Sequence, residues 1–171
     1  MRLFIGLELT ESIKENLAHY IAKLPQGRKG WENPHDFHLT LLFIGETSEE
    51  NVISILDRMK DVSFKPFSIQ IGPIKFFNRR VMYLSILPSE ELLLLQKEVE
   101  ELFPEYVDPH GKSFIPHITV KRWQRYEYDE LAEGLRLHPL EPIPLDVNTI
   151  SLFKSEKDQD NRKYHVIGRQ I

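Results

Sequence analysis

The sequence predicts an α+β fold, with duplicated β-α-β-α-β lobes in pseudo-twofold symmetry, mainly antiparallel sheets lining a central cleft, and helices outside. Three observations predict it. Phe37-His38-Leu39-Thr40-Leu41-Leu42-Phe43-Ile44 and Pro116-His117-Ile118-Thr119-Val120-Lys121-Arg122-Trp123 read as the same strand made twice. The spacing then repeats: 79 residues separate Arg2 from Val81 and His38 from His117, and 78 separate Pro66 from Pro144. Finally, 171 residues at 41% hydrophobic and 28% charged suffice for one domain that buries most of its apolar surface. The domain spans 1-171, with the repeat over approximately 2-77 and 81-154 and a closing strand at 164-170.

Each element has its own signal. Residues 2-9 (RLFIGLEL) are a strand, and Thr10 caps a helix running to about Leu24, with Ile13, Leu17, Ile21 and Leu24 on one stripe. Residues 25-34, rich in Gly and Pro, are a loop that contains Trp31. The first His-x-Thr strand follows. Thr47-Ser48-Glu49-Glu50 has capping-box spacing, and Val52, Ile55, Leu56 and Met59 form the buried side of a second helix. Residues 66-77 are a strand with a Gly-Pro bulge or bend.

The pattern then restarts with a strand at 81-87. Ser89 caps a helix bearing Leu92, Leu95, Val99 and Leu102, and a loop (104-116) leads to the second His-x-Thr strand. A shorter helix carries Leu131 and Leu135, residues 144-154 form one strand, Ser155 to Asp160 a turn, and 164-170 the last strand. Asn161-Arg162-Lys163 echoes Asn78-Arg79-Arg80 before it.

Composition removes several classes of function. With no cysteine there is no disulfide, thiolate metal site or cysteine nucleophile, which fits a reducing, cytoplasmic setting. No apolar run approaches the roughly 18 residues of a membrane span. A formal charge of -4 argues against a long nucleic-acid track, so a nucleic-acid partner is met at an end or as a short oligomer.

The chemistry follows from side chains two apart leaving one face of a strand. His38 and Thr40 point one way, with Leu39, Leu41 and Phe43 opposite; His117 and Thr119 point one way, with Ile118 and Val120 opposite. One such strand alone reads as amphipathic with a wet polar side. Two at equivalent places beside an approximate twofold axis bring both histidines to one cleft. With unperturbed pKa values near 6.5, one ring can be base and the other acid. That pair suits displacement at phosphorus, each proton transfer being worth about 10² to 10⁴ in rate. Thr40 and Thr119 add hydroxyl donors, and Arg122 is the candidate cation. On a regular strand Arg122 leaves the wrong face, so it needs a bulge or the strand end to reach in.

His38-Leu39-Thr40-Leu41 and His117-Ile118-Thr119-Val120 resemble the paired signatures of the 2H phosphoesterases. The RLFIGLEL strand, Trp31, the PHITVKR segment and the tail from Ser151 to Tyr164 extend the likeness over nearly the whole chain. It is similar to the RNA 2',3'-cyclic phosphodiesterase branch, historically called 2'-5' RNA ligases. The resemblance implies metal-free, cofactor-free hydrolysis of a 2',3'-cyclic phosphate end of RNA or a small cyclic nucleotide to a 2'-phosphomonoester. It assigns His38 as proton donor and His117 as proton acceptor, and leaves room for the reverse, 2'-5' ligating direction. A monomer is expected.

Other candidates carry less. His35 and His110 could join His38 and His117 in a zinc site, but no carboxylate or thiolate stands at ligand spacing and HExxH is absent. Gly111-Lys112-Ser113 imitates a P-loop end, with Tyr106 where its first glycine belongs. Trp31, Phe37, Phe114, Trp123, Tyr83 and Tyr164 are possible base platforms, and Arg79, Arg80, Lys112 and Lys121 possible contacts to further phosphates. The rival functions are an RNA-end or nucleotide-binding protein without turnover and a metallo-hydrolase.

Overall fold

The computed structural model describes residues 1–27, 29–123, 127–158 and 161–170. Their elements are β1 (Arg2–Glu8), α1 (Glu11–Ile21), β2 (His38–Glu46), α2 (Glu50–Met59), β3 (Phe67–Phe77), β4 (Val81–Ile86), α3 (Glu90–Leu102), β5 (His117–Arg122), α4 (Tyr128–Leu137), β6 (Ile143–Val147), β7 (Ser151–Asp158) and β8 (Asn161–Arg169). The strands form two antiparallel sheets, ordered β2-β1-β7-β8 and β5-β4-β3-β6. The fold class is as predicted, and the duplication shows in the order of strands. In each sheet the edge strand bears a His-x-Thr motif, and its neighbour opens the repeat.

Helix starts follow local chemistry. Thr10 Oγ1 accepts from Ile13 N–H at 3.3 Å, and Ser89 Oγ from Leu92 N–H at 3.2 Å. Ile13, Leu17 and Ile21 of α1 and Leu92, Leu95 and Val99 of α3 are buried as their spacing requires. The capping box before α2 does not form. Glu49 takes the N-cap position without a side-chain bond, and Thr47 Oγ1 instead accepts from the Asn51 amide at 3.2 Å.

Two further expectations are corrected. Residues 144–154 are two strands: β6 pairs with β3, and β7 pairs with β1 in the other sheet. Ile150, between them, is fully buried where the chain passes from one sheet to the other. The β3–β6 pairing joins equivalent segments: Ser68 lies opposite Asp146, its counterpart 78 residues later, so a pseudo-axis passes near that pair. Residues 155–158, expected in a turn, extend β7 and pair with β8, while Gln159 and Asp160 lie outside the described residues.

Candidate active site

Both motif strands are bulged at the same place. On β2, Thr40 lies opposite Gly6 and Leu42 opposite Ile5, so Leu41 is the extra residue. On β5, Thr119 lies opposite Tyr83 and Lys121 opposite Met82, so Val120 is extra. A bulge inserts one residue and resets the alternation beyond it. Arg122 therefore returns to the face of His117 and Thr119, which meets the condition the sequence set for it. Phe43, its counterpart 79 residues earlier, returns to the face of His38 and Thr40. Phe43 is 61% exposed and lines the cleft, which corrects its expected place against the helices.

The chain packs tightly against each motif strand. A Cβ on Gly6 would lie 2.4 Å from the Leu39 carbonyl oxygen, so only glycine lets β1 close on the bulge. Gly30, at φ +117°, faces the Arg122 carbonyl, where a Cβ would lie 1.8 Å from the oxygen. Gly30 O accepts from Arg122 N–H at 2.9 Å and Val120 O accepts from Glu32 N–H at 2.8 Å, so residues 30–32 run along the free edge of β5. This seats the Glu32 carboxylate on the Arg122 guanidinium.

The five predicted residues, His38, Thr40, His117, Thr119 and Arg122, line one cleft of about 250 Å³. Arg2, Phe4, Glu32, Asp36, Arg162 and Tyr164 are also on its walls. The two histidines are oriented alike. His38 Nδ1–H donates to the Asp36 carbonyl and His117 Nδ1–H to the Ile115 carbonyl, each at 2.7 Å. A carbonyl can only accept, so each neutral ring carries its proton on Nδ1 and has a proton-free Nε2.

Their surroundings differ. His38 sits among Phe4 (4.6 Å between ring centroids), Tyr164 (4.4 Å) and Phe153 (5.5 Å). Burial depresses its pKa to about 4, against the bond to Asp36; the nearby Arg122 and His117 charges push the same way. His117 meets Tyr83 at 5.6 Å and Phe77 at 5.3 Å, both edge to face, and its Nδ1 bond is exposed where that of His38 is part-buried. Tyr83 stands 79 residues after Phe4, so this wall is common to both seats, joined by Phe153 and Tyr164 around His38 and by Phe77 alone beside His117. Burial raises the Glu32 carboxyl, opposed by Arg122, and raises the Tyr164 phenol.

Other sequence candidates lie elsewhere. His35 is 3.6 Å from the Glu11 carboxylate, and His110 sits in a turn closed by its N–H to Asp108 Oδ1 at 2.9 Å. Among the described residues no three His, Cys, Asp or Glu side chains cluster as metal ligands. Lys121 is wholly buried, 3.5 Å from Glu127 and 4.7 Å from the Trp31 ring centre, so it is no phosphate contact. Arg79 covers the Tyr128 ring. Tyr83 and Tyr164 are walls of the histidine seats, and Phe37 is core. Sequence reasoning missed Arg2, Phe4 and Arg162, although the period-two pattern of β1 put Arg2 and Phe4 on one face. Nor did it use Glu32, which only the path of the loop along β5 brings to Arg122.

A family model described as the 2'-5' RNA ligase superfamily matches residues 11–159. The chain belongs to that superfamily. It is 32% identical over 147 residues to the RNA 2',3'-cyclic phosphodiesterase of Archaeoglobus fulgidus, covering 82% of each chain. With the protein of that name from Thermotoga maritima it shares 28% over 151 residues, 82% of this chain and 81% of the other. The superfamily fold is also that of TT0787 of Thermus thermophilus, at a TM-score of 0.76 and 26% identity over 99% and 97% of the two chains. E. coli LigT in its apo form superposes at 0.78 with 22% identity over 98% and 95%, a likeness of fold. No helix among the described residues is long and apolar enough to cross a membrane.

Proposed function

We propose that this protein hydrolyses 2',3'-cyclic phosphodiester ends of RNA to 2'-phosphomonoesters, with His38 and His117 moving the protons. The observation that carries the reading is the convergence of two histidines with proton-free Nε2 atoms, two threonines and Arg122 on the walls of a single cleft. Membership of the superfamily and relatives named for this activity support the enzyme over a silent binding protein.

Hydrolysis needs a water that loses a proton as it attacks phosphorus and a ribose 3'-oxygen that gains one as its bond to phosphorus breaks. In the roles the resemblance assigns, His117 takes the first proton and His38 gives the second. Thr40, Thr119 and Arg122 offer donors to the non-bridging oxygens, where negative charge must be held. Glu32 fixes the guanidinium, as a charge-assisted bond to a carboxylate does.

Burial holds His38 neutral near pH 7. It serves as proton donor only after substrate binds, because a phosphodiester anion beside the ring favours the imidazolium. Binding thus loads the acid. Incubation with a nucleoside 2',3'-cyclic phosphate in excess EDTA tests the reading: ring opening to the 2'-phosphate is expected. Tight binding without opening overturns it in favour of a binding protein, and activity that EDTA abolishes overturns the metal-free mechanism.

A further inference from the structure

We infer that the cleft face of the β7–β8 hairpin is a docking track for the RNA chain on the 5' side of the cyclic phosphate. The inference rests on the function just proposed and extends it from the terminal nucleotide to the strand behind it. Register carries it. Phe4 lies opposite Phe153, Arg2 opposite Ser155, Ser155 opposite Tyr164 and Lys157 opposite Arg162. Residues opposite one another in an antiparallel pair share a face. The face that seats His38 thus continues outward through Arg2 and Arg162 to Lys157.

The cleft opens along this line into a groove whose basic walls are Arg2, Lys154, Lys157, Arg162 and Lys163, with Arg2, Ser155 and Arg162 on both cleft and groove. Two acids, Glu46 and Glu156, also line the groove, and each is already ion-paired. Glu156 meets Lys154 at 2.5 Å and His165 at 3.4 Å. Glu46, across from Arg2, lies 3.6 Å from the N-terminal ammonium, and Glu32 is on Arg122. A chain of net charge -4 thereby gathers cations along one path leading from its histidines.

The occupant follows from chemistry. A 2',3'-cyclic phosphate is the last group of an RNA strand, so the rest of the molecule leaves the cleft only in the 5' direction and carries a phosphate per nucleotide. Lys157 is four residues beyond Phe153, about 13 Å along the strand. That is out of reach of a phosphate held at the imidazoles, so it is available only to a longer substrate.

The test compares a nucleoside 2',3'-cyclic phosphate with a short single-stranded oligoribonucleotide bearing the same end, using the intact protein, Lys157→Glu and, as a control on α3 outside cleft and groove, Lys97→Glu. The wild type should favour the oligonucleotide by about tenfold or more in kcat/KM, with a log–log salt slope steeper by about 0.7 for each phosphate engaged. Lys157→Glu should lose about tenfold on the oligonucleotide through KM, and flatten its salt slope, while leaving the mononucleotide unchanged. Equal rates on both substrates, or a loss shared by Lys97→Glu, overturn the track. Oligonucleotide binding by fluorescence anisotropy decides independently of turnover. If neither substrate is cleaved but Lys157→Glu alone weakens binding, the proposed activity fails and the track stands; unchanged binding overturns the track.

Discussion

The two imidazoles share a tautomer because each donates Nδ1–H to a carbonyl two residues earlier, and they differ in their walls. Three aromatic rings surround His38 and drive off the water an imidazolium needs. This predicts a stability effect with a definite sign. The folded pKa, about 4, lies below the unfolded value near 6.5, so the unfolded chain binds the extra proton. Stability at this site is whole above about pH 6.5 and declines as pH falls towards 4, by at most about 3 kcal/mol. Urea unfolding between those limits should show a shallower decline in His38→Gln than in the wild type. Parallel curves would mean that the ring is solvated in the native state. The motif residues were legible because each strand puts them two apart; the depressed pKa of His38 was not, because its cause lies in β1, β7 and β8.

At the scale of elements, the bulges at Leu41 and Val120 decide which residues face the cleft. Nothing in either residue type announces a bulge, so the alternation rule placed His38, Thr40, His117 and Thr119 and then failed one step later, at Phe43. The division of residues 144–154 between two sheets was hidden for a similar reason. The apolar pattern barely breaks at Asn148-Thr149, and the partners of each half lie far away in sequence. Strand β5 has a further anchor in the buried Lys121–Glu127 pair beside Trp31. Removing one member of such a pair takes a countercharge away from the buried group that remains. Lys121→Met should cost roughly 3 kcal/mol or more in chemical denaturation, with much of it restored in Lys121→Met/Glu127→Leu. A single variant as stable as wild type would show that the pair is not energetically coupled.

Across the whole molecule, duplication is what turns a local motif into a site. The 79-residue offset recurs in His38 and His117, Phe4 and Tyr83, and Phe43 and Arg122. The first pair is identical, and the other two are unlike. Symmetry supplies two histidines, and the departures from it make their settings unlike: an enclosed ring in one lobe, an anchored guanidinium in the other. This much of the architecture was open to sequence reading because the repeat spans most of the chain. The groove along β7–β8 was not, since Arg2, Lys157 and Arg162 come together only when the last hairpin joins the first strand. The measurement that bears most directly on a cooperating pair is the pH dependence of kcat/KM, set beside His38→Ala and His117→Ala. The wild type should give a bell, its two apparent pKa values belonging to the coupled histidines. Each variant should remain folded and lose at least about a hundredfold. A profile flat from about pH 4 to 9, or near-normal turnover in either variant, would contradict paired acid–base catalysis in this cleft.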